Sequence, residues 1–389
     1  MEKKKKHLIV ILKTVERCNL NCKYCYFFNG GDTSFKKHPA FISEKVIHQL
    51  VSSILASHKD LGIGNVSIIF HGGEPTLQPI DKFDAMCSFF TKELSPYLHL
   101  DMSIQTNATL ISENWIEAFS KHNISVGVSL DGPKEYNDIE RVDHHNMGSY
   151  DLVKRGIDIL NKAVKCGKIS DIGALCVINP ENDGRVIYRH FIDELRLSRI
   201  DFLLPDATHD DPPKQSIEIY GRYLCSILDE WTKDNNKNIV IRYLESILRV
   251  MGGLKTTLIS VGPELSDIYP ITISSNGEIS PDDTLRIANG GKLMQLSDIW
   301  SMSFKDFFEL PILKKLRESK NNLPKECFEC CWKKVCYGGS YIHRYSKKNE
   351  FDNPSVFCDS LKMIYAKSAA FLLQSGLPFS SLQEVLLHN

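Results

Sequence analysis

The stretch Glu16-Arg17-Cys18-Asn19-Leu20-Asn21-Cys22-Lys23-Tyr24-Cys25-Tyr26 carries three cysteines at the spacing C-x3-C-x2-C. It follows an apolar run, His7 to Leu12, that predicts a buried strand, so the three thiols lie on one loop after that strand. Three thiolates can hold three irons of a 4Fe–4S cube and leave the fourth iron open to bind and reduce a small molecule. A structural zinc loop is the alternative, but such a site needs four ligands and this loop offers three.

Length, charge and cysteine usage limit the class of protein. The chain has 389 residues, enough for two or three domains, and a formal net charge of −1, which predicts no nucleic-acid or membrane partner. No apolar run approaches the length of a transmembrane helix, and the basic run Lys3 to Lys6 does not begin a secretory signal. Twelve cysteines in a large chain without an export signal indicate metal binding, so we expect a cytoplasmic protein.

Strand-like and helix-like runs alternate from residue 7 to about residue 205. Predicted strands lie near residues 7–14, 66–70, 101–106, 124–130, 171–178 and 199–204, and predicted helices near residues 43–57, 79–94, 112–121, 149–165 and 182–195. We expect Ser43 and Ser112 to cap two of these helices. Six such units imply a parallel sheet, open or curled into a partial barrel, with ligands bound at the carboxyl ends of its strands.

Glycines and small polar residues follow the next three predicted strands. They are His71-Gly72-Gly73-Glu74-Pro75 after the second, Gln105-Thr106-Asn107 after the third, and Ser129-Leu130-Asp131 after the fourth. Paired glycines let a backbone approach a ligand closely, although a tight turn is the plain alternative. Helix or turn capping is the alternative for Asn107 and Asp131 taken singly.

The C-terminal part begins with a hairpin and holds a second group of cysteines. Asn276-Gly277 between alternating runs predicts the hairpin, which leads into Asp282-Asp283-Thr284-Leu285; a solvated turn is the alternative for the two carboxylates. Four further cysteines suit either zinc or a 4Fe–4S cluster: Cys327, Cys330, Cys336 and Cys358. Cys331 falls outside that pattern.

The N-terminal motifs resemble the radical S-adenosylmethionine (SAM) superfamily, whose cysteine spacing carries an aromatic residue, here Tyr24, before the last cysteine. In that family the open iron chelates SAM, and one electron cleaves SAM to methionine and a 5′-deoxyadenosyl radical. The resemblance implies that Cys18, Cys22 and Cys25 bind the SAM cluster. It also implies a SAM pocket lined by Tyr24, Gly72, Gly73, Glu74, Gln105, Thr106, Asn107, Ser129, Asp131 and Arg141.

The C-terminal cysteines resemble the SPASM extension of radical SAM enzymes, which holds auxiliary clusters and so favours iron–sulfur over zinc. Asp282 and Ser340 stand where a two-cluster extension has cysteines, and no cysteine lies between residues 226 and 326. We therefore expect a single auxiliary 4Fe–4S cluster on Cys327, Cys330, Cys336 and Cys358. The expected cofactors are two 4Fe–4S clusters and SAM.

The expected architecture is α/β in three parts. A partial (β/α)6 barrel of radical SAM type spans residues 1–205, and a helical bridging region spans residues 206–265. A SPASM-like α+β extension that holds the auxiliary cluster spans residues 266–389.

The segments Tyr337–Tyr345 and Phe351–Cys358 resemble cyclophane-forming peptide maturases, which join an aromatic ring carbon to a β-carbon. This resemblance implies a ribosomally synthesised precursor peptide, leader plus core, as substrate. It also implies an electron donor such as flavodoxin or ferredoxin. We expect no separate leader-binding domain before Cys18, and we therefore expect a leader to dock on the core or the extension, for example as an added strand. Oxidation of a Ser or Cys side chain, as in sulfatase-maturing enzymes, is the alternative activity. A metal-stabilised peptide-binding protein is the alternative without catalysis.

The reaction needs a base for one proton. We predict Asp283 for this role, because the resembled family places an aspartate in the Asp-Thr-Leu context after the hairpin. Asp282 is the weaker candidate, since it occupies a lost cluster-ligand position. His343 is the other candidate, since the unperturbed pKa of histidine lies nearer neutrality.

Overall fold

The computed structural model describes residues 5–256, 258–263 and 267–387. Contacts divide the chain into two compact units. The first contains Met1–Leu130, Lys134–Ala174 and Ser266–Leu313, and the second contains Asp131–Pro133, Leu175–Leu265 and Lys314–Asn389. The predicted domain limits at residues 205 and 265 stay a prediction. The hairpin belongs to the first unit because its leading strand pairs with the first strand of the chain.

The sheet of the first unit is centred on β1 (Lys6–Val15), which lies parallel to β2 (Ile63–Gly72) on one side and to β8 (Ile268–Ile273) on the other. Beyond β2 the parallel order continues with β3 (His99–Thr106) and β4 (Ser125–Ser129). Beyond β8 two antiparallel strands follow, β9 (Glu278–Ser280) and β10 (Ser297–Asp298). β5 (Gly173–Val177) spans the boundary of the units, and β6 (Arg199–Leu203) pairs in parallel with β7 (Val240–Ile241) in the second unit.

Helices connect the strands as the alternating pattern predicts. The first-unit helices are α1 (Tyr26–Asn29), α2 (Glu44–Leu61), α3 (Ile80–Leu94), α4 (Glu113–Lys121), α5 (Lys134–Glu140), α6 (Tyr150–Lys165) and α10 (Phe304–Phe308). The second-unit helices are α7 (Gly184–Arg189), α8 (Ile217–Asp234), α9 (Arg242–Met251), α12 (Lys333–Cys336), α13 (Cys358–Gln374) and α14 (Phe379–Leu387). α11 (Pro311–Asn321) crosses the boundary. A π-helical turn, His190–Glu194, continues α7.

The carboxyl end of β1 differs from the rest of the strand in its burial. Leu8, Val10 and Leu12 are fully buried and alternate with partly exposed residues, as expected for a strand whose two faces differ. From Lys13 onward the alternation stops and both faces are buried. Charged and polar side chains at the carboxyl end of β1 are therefore enclosed. Within the described part of the chain, no helix has the length and apolar character needed to cross a membrane.

Candidate active site and second cysteine centre

The cysteine loop directly follows β1 and is held by hydrogen bonds from a distant segment. The Asn21 N–H donates to the carbonyl of Val142 (2.7 Å), and the Lys23 N–H donates to the carbonyl of Glu140 (3.0 Å). His144 Nε2 lies 2.9 Å from the carbonyl oxygen of Cys18. The last residue of α5 and the residues that follow it thus fix one side of the loop that carries Cys18, Cys22 and Cys25.

The Gly72-Gly73 pair fixes the other side. The Gly73 N–H donates to the Val15 carbonyl (2.7 Å), and the Glu74 N–H donates to the Arg17 carbonyl (2.8 Å). A Cβ added to Gly72 would lie 2.0 Å from the Val15 oxygen, and one added to Gly73 would lie 2.1 Å from the Arg17 oxygen. The glycines therefore let the backbone after β2 pack directly on the cysteine loop, a contact that the sequence analysis did not foresee.

The carboxylate of Glu74 ties the ends of β2 and β3 together. It is buried and accepts hydrogen bonds from the Thr106 hydroxyl (2.6 Å), the Asn107 N–H (2.7 Å) and the Thr76 N–H (2.9 Å). Burial raises the pKa of Glu74, while these hydrogen bonds favour its ionised form. Glu74, Thr106 and Asn107, all expected in the SAM pocket, thus form one connected group.

Asn107 extends that group to the cysteine loop. Its Nδ2 donates to Asn19 Oδ1 (2.9 Å) and lies 3.9 Å from Cys18 Sγ, and its Oδ1 accepts from the Thr109 hydroxyl (2.7 Å). Asn19 Nδ2 in turn donates to the Thr109 hydroxyl (2.8 Å). The third strand end therefore positions the first predicted cluster ligand.

The remaining predicted SAM-pocket residues fall into separate contacts. Gln105 Nε2 donates to the Ser129 hydroxyl (2.8 Å), and the buried Arg141 donates from Nη1 to the Tyr24 hydroxyl (2.8 Å). Asp131 belongs to the second unit and accepts a hydrogen bond from the Val177 N–H (3.0 Å). Tyr24 and Arg141 are thus brought together beside the cysteine loop.

Asp283 lies in a buried cluster of ionisable side chains within the first unit. Its Oδ2 accepts hydrogen bonds from Lys13 Nζ and from the Tyr26 hydroxyl, both at 2.5 Å. Lys13 is fully buried, and its Nζ also lies 3.2 Å from His71 Nδ1. Asp282 accepts from the N–H and hydroxyl of Thr284 (3.0 and 2.7 Å) and caps the turn that Asp283 begins. The pair is therefore not a solvated turn.

The electrostatics of this cluster favour an ionised Asp283. Burial alone would raise the pKa of the carboxyl, but the neighbouring Lys13 charge and the hydrogen bonds from Lys13 and Tyr26 hold it well below its usual range. Burial and the Lys13 charge lower the pKa of His71 to about 4, so His71 is neutral near pH 7.

His343 lies in the second unit, in an apolar setting. Its Nε2 is 3.0 Å from the Pro205 carbonyl oxygen, and its ring packs edge-on against Phe357 with centroids 4.7 Å apart. Burial lowers the pKa of His343 to about 4. The nitrogen that bonds Pro205 must carry the proton, so His343 is a donor there and a poorer candidate for a base than its residue type suggested.

The four predicted auxiliary ligands line one cavity in the second unit, together with Leu361 and Tyr365: Cys327, Cys330, Cys336 and Cys358. Cys331 is exposed and does not line it. Across the described residues, no three His, Cys, Asp or Glu side chains converge as ligands of one metal ion. The assignment of this centre therefore depends on its four thiols and on the groups around them.

Two buried cations lie next to this cavity. Arg344 contacts Gly338, a cavity residue, with Nη1 2.8 Å from the position of an added Cβ, and its Nη2 has no hydrogen-bond partner among the described residues. Lys320 is also buried and donates to the Gly339 carbonyl (2.7 Å). Four thiolates with cations nearby fit a negatively charged four-thiolate iron–sulfur cluster.

Sequence reasoning missed Lys13, Tyr26 and His71. Tyr26 and His71 stood inside quoted motifs without a role. Lys13 had a signal of its own, because it is a charged residue inside a strand predicted to be buried. Its partner Asp283 is 270 positions away, and no sequence pattern indicates that pairing.

Comparison with known proteins gives consistent results. Residues 12–186 match the profile of the Radical SAM superfamily. A cysteine-type anaerobic sulfatase-maturating enzyme of Clostridium perfringens (strain 13 / Type A) is 27% identical over 357 residues, covering 90% of this chain and 92% of the relative. A serine-type anaerobic sulfatase-maturating enzyme of Bacteroides thetaiotaomicron is 25% identical over 365 residues, covering 88% of this chain and 84% of the relative.

A solved structure of native anSMEcpe with bound AdoMet has a TM-score of 0.79 and 25% identity, covering 95% of this chain and 98% of that one. The predicted α/β fold class, with its parallel partial-barrel sheet and cysteine-bearing C-terminal extension, is confirmed. The relatives named are sulfatase-maturating enzymes, and none of them supports the cyclophane prediction.

Proposed function

We propose that this chain, whose residues 12–186 form a radical SAM domain, oxidises a serine or cysteine side chain of a peptide or protein substrate. This was the alternative prediction, and the comparisons favour it over cyclophane formation. The sulfatase-maturating relatives align with nine-tenths of the chain, so the likeness includes the C-terminal extension. They are of both cysteine and serine type, so we propose oxidation of either residue type without choosing between the two.

The cofactors proposed from the residues are SAM and two 4Fe–4S clusters. Cys18, Cys22 and Cys25 would hold the first cluster beside the predicted SAM pocket, and the four cavity cysteines would hold the second. When bound, the first cluster and SAM supply a 5′-deoxyadenosyl radical that removes a hydrogen atom from a substrate carbon. Tyr24, Arg141 and the group around Glu74 would bind and orient SAM, because they adjoin the cysteine loop.

Asp283 supplies the base in this proposal. Oxidising the carbon–oxygen or carbon–sulfur single bond of the target residue to a double bond removes two hydrogens: one leaves as a hydrogen atom, and the other leaves as a proton while one electron would pass to an iron–sulfur cluster. A carboxylate that is ionised at neutral pH and held by one oxygen can take that proton with the other. The position of Asp283, anchored through Oδ2 by Lys13 and Tyr26 at the carboxyl end of β1, carries the assignment of the base, and the likeness to sulfatase-maturating relatives over nine-tenths of the chain carries the choice of Ser or Cys oxidation.

A second candidate, carbon–carbon crosslinking of a precursor peptide, rests on one observation. Asp282 and Ser340 replace cysteines expected in a two-cluster extension, and residues 226–326 contain no cysteine. Asp282 instead caps a turn through Thr284. Crosslinking also removes two hydrogens from the peptide and also needs a base, so Asp283 has the same role in both candidates.

The test uses the reconstituted, anaerobic enzyme with SAM, dithionite and synthetic peptides of a sulfatase active-site segment. The peptides differ at the target position, which holds Cys, Ser or Ala. We expect loss of two hydrogens from the Ser peptide, a carbonyl that reacts with hydroxylamine in the Cys or Ser product, and no change in the Ala peptide.

The same assay separates the two candidates. A peptide that carries an aromatic residue two positions before the target and loses two hydrogens without gaining a hydroxylamine-reactive carbonyl would support crosslinking. SAM cleavage that leaves every Cys and Ser peptide intact would contradict the proposal.

Asp283→Asn should cleave SAM but form at least about a hundredfold less product. Asp60→Asn, an exposed change on α2, is the control.

A further inference from the structure

We propose that Lys13 is a positioning residue for the reaction, which keeps Asp283 ionised and presents its Oδ1 to the substrate. The inference rests on the proposed function, since it concerns the base of that reaction. Its evidence is the geometry of four buried side chains at the end of β1: Lys13, Tyr26, His71 and Asp283.

All three donors of the Lys13 ammonium have an acceptor. Nζ lies 2.5 Å from Asp283 Oδ2, 3.3 Å from the Tyr26 hydroxyl and 3.2 Å from His71 Nδ1. The Gly72 N–H also points to His71 Nδ1 (2.9 Å), so two donors require this nitrogen to be the unprotonated one. The ammonium group therefore has a fixed position, and it directs one hydrogen at the carboxylate.

The carboxylate is held by one oxygen only. Lys13 and the Tyr26 hydroxyl both donate to Oδ2, and among the described residues the hydrogen bonds of the Asp283 side chain go to that oxygen alone. Tyr26 completes the arrangement because its hydroxyl accepts from Lys13 and donates to Asp283. Oδ1 is left as the oxygen that can take a proton.

The other charges near the cluster have partners of their own. Glu16 lies 2.7 Å from His38 Nδ1, and Arg286 pairs with Asp32. Asp282 is a second carboxyl group next to Asp283, and burial together with the Asp283 charge raises the pKa of Asp282. Lys13 is thus the cation that compensates Asp283, and without it a buried carboxylate would face another carboxylate.

The step assigned to the pair is a proton transfer alone. After a hydrogen atom has left the substrate carbon, the O–H or S–H bond breaks and the Oδ1–H bond forms, while the one remaining electron would pass to an iron–sulfur cluster of the holoenzyme as the oxidant and not through Lys13 or Asp283. Lys13 does not touch the substrate in this scheme. It acts through Asp283, and that difference can be measured.

The experiment compares Lys13→Met, Lys13→Arg, Asp283→Asn and the Lys13→Met/Asp283→Asn double variant in the reconstituted holoenzyme. We expect Lys13→Met to keep its iron and its SAM cleavage and to form product at least about tenfold more slowly at pH 7. Its product rate should recover as the pH is raised, whereas the wild-type rate stays level on the acid side of neutrality. Lys13→Arg should restore most of the rate, and Lys59→Met, an exposed change on α2, should match wild type.

The double variant decides between positioning and a general structural role. If Lys13 acts through Asp283, the double variant makes product as slowly as Asp283→Asn and no slower. A wild-type pH profile in Lys13→Met, or an equal further loss in the double variant, would overturn the inference. If Lys13→Met does not fold, the pH profile of Lys13→Gln provides the same comparison.

Thermal unfolding separates failure of this inference from failure of the proposed function. If the wild-type enzyme modifies no Ser or Cys peptide, the proposed function is wrong, yet the pair can still be tested. The midpoint temperatures of the four proteins should then be non-additive, with the double variant no less stable than the worse single variant. Additive losses would show that the two side chains do not depend on each other, and the inference would be wrong.

Discussion

The loop of Cys18, Cys22 and Cys25 is held by hydrogen bonds from residues far along the chain, whereas the buried cations beside the C-terminal cysteine centre bond to carbonyls near them in sequence. Gly73, Asn107 and Val142 hold the first, from three separate segments. In the second, Arg344 donates to the carbonyls of Ser319 and Asn353, and Lys320 donates to that of Gly339. The first centre thus depends on the assembled sheet, whereas the second combines these short-range hydrogen bonds with one from the Gly262 N–H to the carbonyl of Val335 (2.8 Å).

The charges around the two centres also differ. The first has buried groups of both signs near its loop, the carboxylates Glu74 and Glu16 and the cation Arg141, whereas the second lies beside two buried cations, Arg344 and Lys320. Buried charges need compensation, and a cluster with four thiolates is more negative than one with three. The surroundings therefore agree with three protein ligands at one centre and four at the other.

The largest effect should come from removing the thiols of one centre. The triple variant Cys18→Ala/Cys22→Ala/Cys25→Ala should retain about four of about eight irons and lose SAM cleavage completely. The matching change at Cys327, Cys330 and Cys336 should also retain about four irons but keep SAM cleavage. Iron analysis and 5′-deoxyadenosine assays measure both. About twelve irons in the wild type, or stoichiometric zinc, would show that the assignment of one auxiliary cluster is wrong.

Arg344→Met tests whether the second centre needs its cation. The change leaves the buried carbonyls of Ser319 and Asn353 without a donor, and each unsatisfied carbonyl lowers the free energy of unfolding by about 1–3 kcal/mol. We expect a lower midpoint of thermal unfolding and loss of the auxiliary irons, with SAM cleavage retained. Lys315→Met is the control, because it breaks only an exposed pair with Glu350, which contributes about 0–1 kcal/mol. If Arg344→Met keeps all of its auxiliary irons, the auxiliary cluster does not depend on the Arg344 charge.

Arg141→Ala tests the corresponding residue of the first centre. It removes a cation that donates to Tyr24 beside the cysteine loop and would pair with the SAM carboxylate. We expect SAM to bind roughly tenfold to a hundredfold more weakly, from about 1.5–3 kcal/mol for a hydrogen bond to a charged group, with iron content unchanged. Equilibrium binding of SAM measures this. Arg155→Ala, an exposed change on α6, should bind SAM normally, and unchanged affinity in Arg141→Ala would remove Arg141 from the pocket.

The smallest effect is expected at His343, which should make the stability of the second unit depend on pH. Burial holds its pKa at about 4 against an ordinary 6.5, so between these values the unfolded chain binds a proton that the folded chain does not. The resulting stability is complete above pH 6.5 and is lost as the pH falls toward 4. In His343→Gln, the loss of unfolding free energy between about pH 7.5 and about pH 5.5 should be smaller by about 1 kcal/mol. His99→Gln, a change at an exposed histidine, should show the wild-type dependence of the unfolding free energy on pH. If His343→Gln also shows the wild-type dependence, His343 is not the source of this pH effect.

The sequence predicted the strands and helices of the repeating β/α part within a few residues, because hydrophobic periodicity is a local property. Ser43 accepts from the Val46 N–H as its expected capping role requires. Ser112 stands at the cap position of α4, but its side chain makes no capping hydrogen bond. Local spacing finds where a helix begins and leaves the rotamer of the capping residue undetermined.

Pairings between distant segments could not be predicted. The hairpin was expected, but β8 also lies parallel to β1, and a parallel pairing leaves no turn signal in the sequence. The Lys13–Asp283 contact depends on that pairing, since β1 and the hairpin bring the two residues together. The candidate base was therefore found from a motif, and its partner only from the structure.

The place of β1 between β2 and β8 also has a consequence for biosynthesis. The ribosome makes β1 well before β8, so one edge of β1 stays unpaired until residues 268–273 have been translated. At about 5–20 residues per second this interval is on the order of tens of seconds. During this interval the apolar strand Leu8 to Leu12 presents an open edge next to three thiols, and such an edge is prone to pairing with other polypeptides. Chaperone protection of the nascent β1 segment, with cluster insertion after the hairpin has formed, is the order of events that this topology favours.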